Sequence, residues 1–116
     1  MEDFSPAELQ ILENGMFSVH FSIDAFQSDE LDVEGAFAES ELDGNGYDWE
    51  AVLAPAIKQR DARAFAAIEF SPEADTFVAI SKDKAPLLLL AEVLRDIVSD
   101  QKLLAAAVAA HDPDRT

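Results

Sequence analysis

The chain has 116 residues, 49% of them apolar, and carries 24 Asp and Glu against 8 Lys and Arg, a formal net charge of −16. That is enough apolar material to bury a core in one domain, and the charge sets the chain against nucleic-acid phosphates and anionic membranes. With no cysteine there is no disulfide framework, no zinc–thiolate site and no thiol nucleophile.

The first residues, Met1, Glu2, Asp3 and Phe4, are acidic where a secretory leader would be basic and then apolar. Together with the lack of any apolar run long enough to span a bilayer, this predicts a soluble cytoplasmic protein. Residues 8–13 lead to Asn14 and Gly15, after which Phe17, Val19, Phe21 and Ile23 alternate with Ser18, His20 and Ser22. The alternation predicts a strand with one buried face, and Asn-Gly predicts a hairpin whose type I′ turn has both residues at positive φ. A rival reading starts a helix at Ser5, Pro6, Ala7 and Glu8, a capping box.

Residues 24–43 are strongly acidic and ambiguous: Leu31, Val33 and Phe37 fit a strand or one side of a short helix. From Asp48, read as an N-cap, Trp49, Val52, Leu53, Ala56 and Ile57 form one helical stripe, with Pro55 expected to kink or loosen a turn. Ala64–Phe70 and Thr76–Ser81 read as two strands joined by a turn at 71–75. Asp83 is then read as capping a helix with Leu87, Leu90, Leu94, Ile97 and Val98 inward. Residues 101–110 follow as a short helix using Leu103, Leu104, Ala107 and Val108, and the tail from His111 is expected to fray. The predicted architecture is α+β: a single domain over residues 1–116, with about four antiparallel strands in two hairpins. Two to three helices cover one face of that sheet.

Charge is unevenly distributed. Residues 1–50 hold 14 acids and no Lys or Arg, while residues 51–116 hold 10 acids and all 8 bases. General salt adaptation would spread acidity over the whole surface, so the asymmetry points to a face for a cationic protein partner.

The stretch Glu41 to Glu50, ELDGNGYDWE, has the small polar letters of a calcium loop. Aligned on Gly46 as position six, however, position twelve is Val52, where a bidentate carboxylate must stand. A phosphate cradle fails too, since no lysine follows and Glu41, Asp43, Asp48 and Glu50 would repel an anion. No metal or cofactor is expected. The segment reads instead as a structural turn, with Gly44 and Gly46 permitting a sharp backbone path into the helix. Trp49 goes to the core or to a partner, and Tyr47 sits just outside the helix.

The string from Gly44 through Asn45, Gly46, Tyr47, Asp48 and Trp49 to Glu50 resembles the hallmark of family 51 of the bacterial immunity proteins. The stretch Ile68 to Phe77, with Ser71, Pro72, Glu73 and Ala74 at its turn, is similar to that family's later hairpin, and a Leu-rich helix follows in both. The chain departs from the pattern at Ala54, Pro55 and Ala56. The resemblance implies a protein that binds and silences a cognate toxin, and it implies no catalytic residue.

Asp32, Glu34, Glu39, Glu41 and Asp43, with Tyr47, Asp48 and Trp49, form the candidate partner-binding set. His20 and His111 have no nucleophile–base arrangement suggested around them, and in so acidic a chain the spacing of carboxylates singles out no catalytic pair. A basic toxin is the expected partner, with no nucleic acid or membrane. A homodimer is compatible with one leucine of the Leu87–Leu90 run left over for self-association. The alternative is a small acidic binding module or assembly subunit whose charge reflects salt adaptation.

Overall fold

The computed structural model describes residues 7–12 and 14–115. Residues 1–6, on which the leader reading and the start of the rival helix fall, lie outside them. Strands β1 (Glu8–Ile11) and β2 (Phe17–Ser22) form the expected hairpin, with Glu8 opposite His20 and Ile11 opposite Phe17. The turn is not type I′. Leu12 faces Met16, leaving three residues between them where type I′ allows two, and Gly15 takes positive φ, at 83°. Its N–H donates to the Leu12 carbonyl at 3.0 Å, and the Leu12 N–H donates to the Met16 carbonyl at 2.7 Å. In a loop this long one left-handed glycine re-aims the chain, so Asn14 is free to accept from the Met16 amide through its side chain.

The ambiguous segment contains a helix, α1 (Val33–Glu39), capped by Asp32, whose Oδ1 accepts from the Gly35 amide at 2.9 Å. Leu31, Val33 and Phe37 turn inward from it. Its C-terminus closes with the Leu42 amide on the Phe37 carbonyl (2.9 Å) and the Glu41 amide on the Ala38 carbonyl (3.0 Å). This is a Schellman arrangement in which Glu41, at φ 61°, occupies the left-handed position that glycine usually takes.

Helix α2 (Gly46–Arg60) starts two residues before the expected cap, because Asn45 and not Asp48 caps it: Asn45 Oδ1 accepts from the Asp48 amide at 2.8 Å. Pro55 sits inside α2 without ending it. A proline has no N–H, so the Ala51 carbonyl loses its helical donor. The Asp112 amide takes that place at 2.9 Å. The tail is therefore docked rather than frayed. It ends in a 3-10 turn (Pro113–Arg115), where Arg115 bonds Glu50 at 2.8 Å and lies over the Phe65 and Phe70 rings.

The strand expected over Ala64–Phe70 is helix at 64–66 and strand only at Glu69–Phe70. Asp61 accepts from the amides of Arg63 and Ala64 and caps α3 (Ala62–Ala66), leaving β3 only Glu69–Phe70. Alanine is the best helix former, and a good local cap decides for helix where the sheet border offers little pairing. Strand β4 (Thr76–Ser81) forms as expected, followed by α4 (Lys84–Ile97) and α5 (Gln101–Ala109). Asp83 occupies the N-cap position of α4, but its side chain makes no capping bond there. In α5, Leu104 and Val108 are buried, whereas Leu103 is exposed.

The two hairpins join through β2 and β4, giving one four-stranded antiparallel sheet in the order β1-β2-β4-β3. Helices α2 and α4 pack on the face that carries Val19, Phe21, Phe77 and Ala79. The described helices number five, more than the two to three expected, since α1 and α3 have short, weak signatures. Trp49 centres the core, with Phe21 edge-on at 5.2 Å and Phe37 at 5.1 Å, while Phe21 stacks on Phe77 at 5.1 Å. These pairings add to what the rings gain from burial alone.

Candidate partner-binding surface

Of the eight residues singled out in the sequence, Asp32, Glu34, Glu39, Glu41, Asp43 and Tyr47 are not buried, and the fold brings them together along α1 and the loop into α2. The other two are interior. Trp49 is fully buried and Asp48 is 4% exposed, so neither presents a surface to a partner in this structure. Asp29 and Glu30, just before α1, are also exposed and extend the same patch. Among the described residues, no carboxylate of segment 29–43 takes part in an ion pair. Pairs lie elsewhere, Glu92 and Asp96 with Arg60 and Glu50 and Asp112 with Arg115.

The loop is built by the oxygens that a calcium site would have used. Asp48 Oδ2 accepts from the amides of Asp43 (3.0 Å) and Gly44 (2.8 Å), and Asn45 Oδ1 is committed to the Asp48 amide. Charge-assisted bonds of this kind fix a loop more firmly than neutral ones. Asp48 thus acts from inside the first turn of α2, folding the acidic loop back over the helix start. Among the described residues, no three His, Asp or Glu side chains gather as a metal-binding group.

Gly46 serves close approach rather than an unusual backbone angle. A Cβ there would overlap the backbone carbonyl oxygens of Glu73 and Thr76, and the Gly46 amide donates to the Ala74 carbonyl at 3.2 Å. This contact sets the 71–75 turn, with its exposed Glu73 and Asp75, against the start of α2. The Ile23 amide donates to the Asp75 carbonyl at 3.1 Å, which brings Asp24 to the same end. Sequence reasoning missed these three acids because they come from distant parts of the chain. The glycine that clamps them was the available signal.

Charge is consequently separated along α2. Its N-terminus abuts the acidic loop, whereas Lys58, Arg60 and, in α3, Arg63 stand at its other end, about 20 Å away at 1.5 Å per residue. Acids at the amino end and bases at the carboxyl end also suit the helix dipole. Helix α5 anchors α1 from the side, with Gln101 bonding the Asp32 amide and carbonyl at 2.7 and 3.0 Å.

Away from this end, a groove of about 620 Å³ runs between α2, α4 and α5, lined by Pro55, Ala56, Ala106 and Ala110 among others. Its charged lining residues, Arg60 and Asp96, are paired with each other at 3.0 Å. His20 bonds Glu8 at 3.1 Å on the sheet face turned away from the helices. No described helix is long and apolar enough to cross a membrane.

A protein-family model described as Immunity protein 51 matches residues 9–113, nearly the whole chain. No curated protein and no solved structure matches.

Proposed function

Because the chain belongs to the immunity protein 51 family, we propose that it binds and silences a cognate bacterial toxin in the cytoplasm, docking its acidic end on a basic toxin face. The observation that carries this reading is the run of carboxylates from Asp29 to Asp43, none of them in an ion pair among the described residues. A surface that leaves so many like charges without counter-ions stores repulsion, and a cationic partner relieves it. The protein acts by occupancy, with no substrate turned over and no nucleic acid or membrane engaged. Asp32, Glu34, Glu39, Glu41, Asp43 and Tyr47 supply the contact surface, while Asp48 and Trp49 hold it in shape from within.

Opposite potentials steer the encounter, with association reaching about 10⁸ M⁻¹s⁻¹ at low salt. The test is to reverse Glu39, Glu41 and Asp43 to lysine together and measure association with the cognate toxin, sought first in the adjacent reading frame. Association should slow at least tenfold at low ionic strength and lose much of its salt dependence. Unchanged kinetics would remove the steering argument, and failure of the wild-type protein to rescue growth on co-expression with that toxin would remove the function.

A further inference from the structure

Strand β1 borders the sheet, and no described strand pairs with its outer side. In an antiparallel ladder alternate residues exchange bonds with the neighbouring strand, while those between them aim N–H and C=O outward. The Leu12–Met16 bond sets the phase: Gln10 opposite Ser18 and Glu8 opposite His20 are the bonded positions. Leu9 and Ile11 therefore turn their backbone groups to the free edge, and nothing among the described residues bonds them there.

Ile11 is also 70% exposed, more than Tyr47 or Leu103. Folded proteins usually guard such an edge with lysine, proline, a bulge or a covering segment. The residues of β1, Glu-Leu-Gln-Ile, include neither lysine nor proline. The opposite border is treated differently: β3 is only two residues long, and Arg115 lies over its Phe70 at 5.9 Å.

We propose that the free edge of β1 receives an extended strand of the cationic toxin, which becomes a fifth strand of the sheet. Main-chain bonds to Leu9 and Ile11 give affinity, and the Ile11 side chain covers an apolar residue of the incoming strand. Charge selects this occupant over a second copy of the chain. Two copies would each bring a net charge of −16 to a strand that itself begins with Glu8, whereas a basic strand meets opposite charge. The inference rests on the toxin-binding reading and gives it a docking mode.

The experiment uses the full chain with the catalytically inactivated form of the toxin identified by the growth-rescue test. Hydrogen exchange should find the Leu9 and Ile11 amides open in the free protein and protected in the complex. Ile11→Pro removes an N–H that the β1–β2 ladder does not use and places a ring against the incoming strand. Its Kd should rise at least tenfold with an unchanged melting curve, while Ile11→Thr, which keeps the N–H, should change it by a few-fold at most.

Full affinity in a natively folded Ile11→Pro variant, or fast exchange at both amides in the complex, overturns the proposal and leaves toxin binding intact. Should Ile11→Pro not fold, the amide protection of the wild-type complex decides. A dimer in sedimentation that Ile11→Pro dissociates would give the edge to a second copy and overturn the proposal as well. No binding by the wild-type protein would instead sink the function on which the proposal rests.

Discussion

Ending the chain at His111 should destabilise the protein, in good part through one backbone atom, and Pro55→Ala should undo that part of the damage. Proline at 55 leaves the carbonyl of Ala51, a fully buried residue, without its helical donor, and the Asp112 amide fills the gap at 2.9 Å. Truncation strips that partner, and a buried acceptor left unpaired costs about 1–3 kcal/mol. It also removes the half-buried Arg115–Glu50 pair and the guanidinium over Phe65 and Phe70. That loss adds about 1–2 kcal/mol. With alanine at 55 the helix supplies its own N–H to Ala51, so the truncation should cost about 1–2 kcal/mol less than it does beside proline. Urea unfolding of the four proteins in this cycle, the full and truncated chains each with and without Pro55→Ala, measures the coupling directly. A truncation cost equal in both backgrounds to within about 0.5 kcal/mol would refute the account of why the tail docks where it does.

Asp48→Ala leaves the amides of Asp43 and Gly44 without an acceptor, and two charge-assisted bonds together make the expected loss about 3 kcal/mol. Urea unfolding checks the magnitude, and faster exchange at the Gly44 amide shows that the acidic loop has come loose. Gly46→Ala drives a methyl into the backbone carbonyls of Glu73 and Thr76. Because backbone cannot swing aside, a loss of about 3 kcal/mol or more is expected in the same assay. Glu41→Gly acts in the other direction, relieving a left-handed residue at φ 61° for a gain of about 1 kcal/mol. The same change removes a carboxylate from the docking surface, so the variant should melt higher and associate with toxin more slowly.

Where a segment carries a strong period, the folded elements follow it. The alternation from Phe17 to Ile23 and the stripe from Trp49 to Ile57 both lie where their spacing put them, because burying one face is a demand the local pattern states outright. The acidic patch was legible in the same way, since a stretch of like charge has nowhere to go but the surface. Segments with weak patterns mislead or stay open. Ala64–Phe70 reads as a strand, yet the Asp61 cap starts a helix that takes its first three residues, and the short turns of α1 are nearly masked by its charges.

The amino-acid order alone determined the family resemblance, the class of fold and which half of the chain is acidic. Only the tertiary structure decided that Asp48 is an internal brace, that Gly46 clamps the 71–75 turn to α2, and that the tail completes a helix interrupted by Pro55. Periodicity and charge are properties of neighbours along the chain. A carbonyl at 51 meeting an amide at 112, or a glycine at 46 making room for carbonyls at 73 and 76, depends on where distant segments pack, and no local pattern encodes that position.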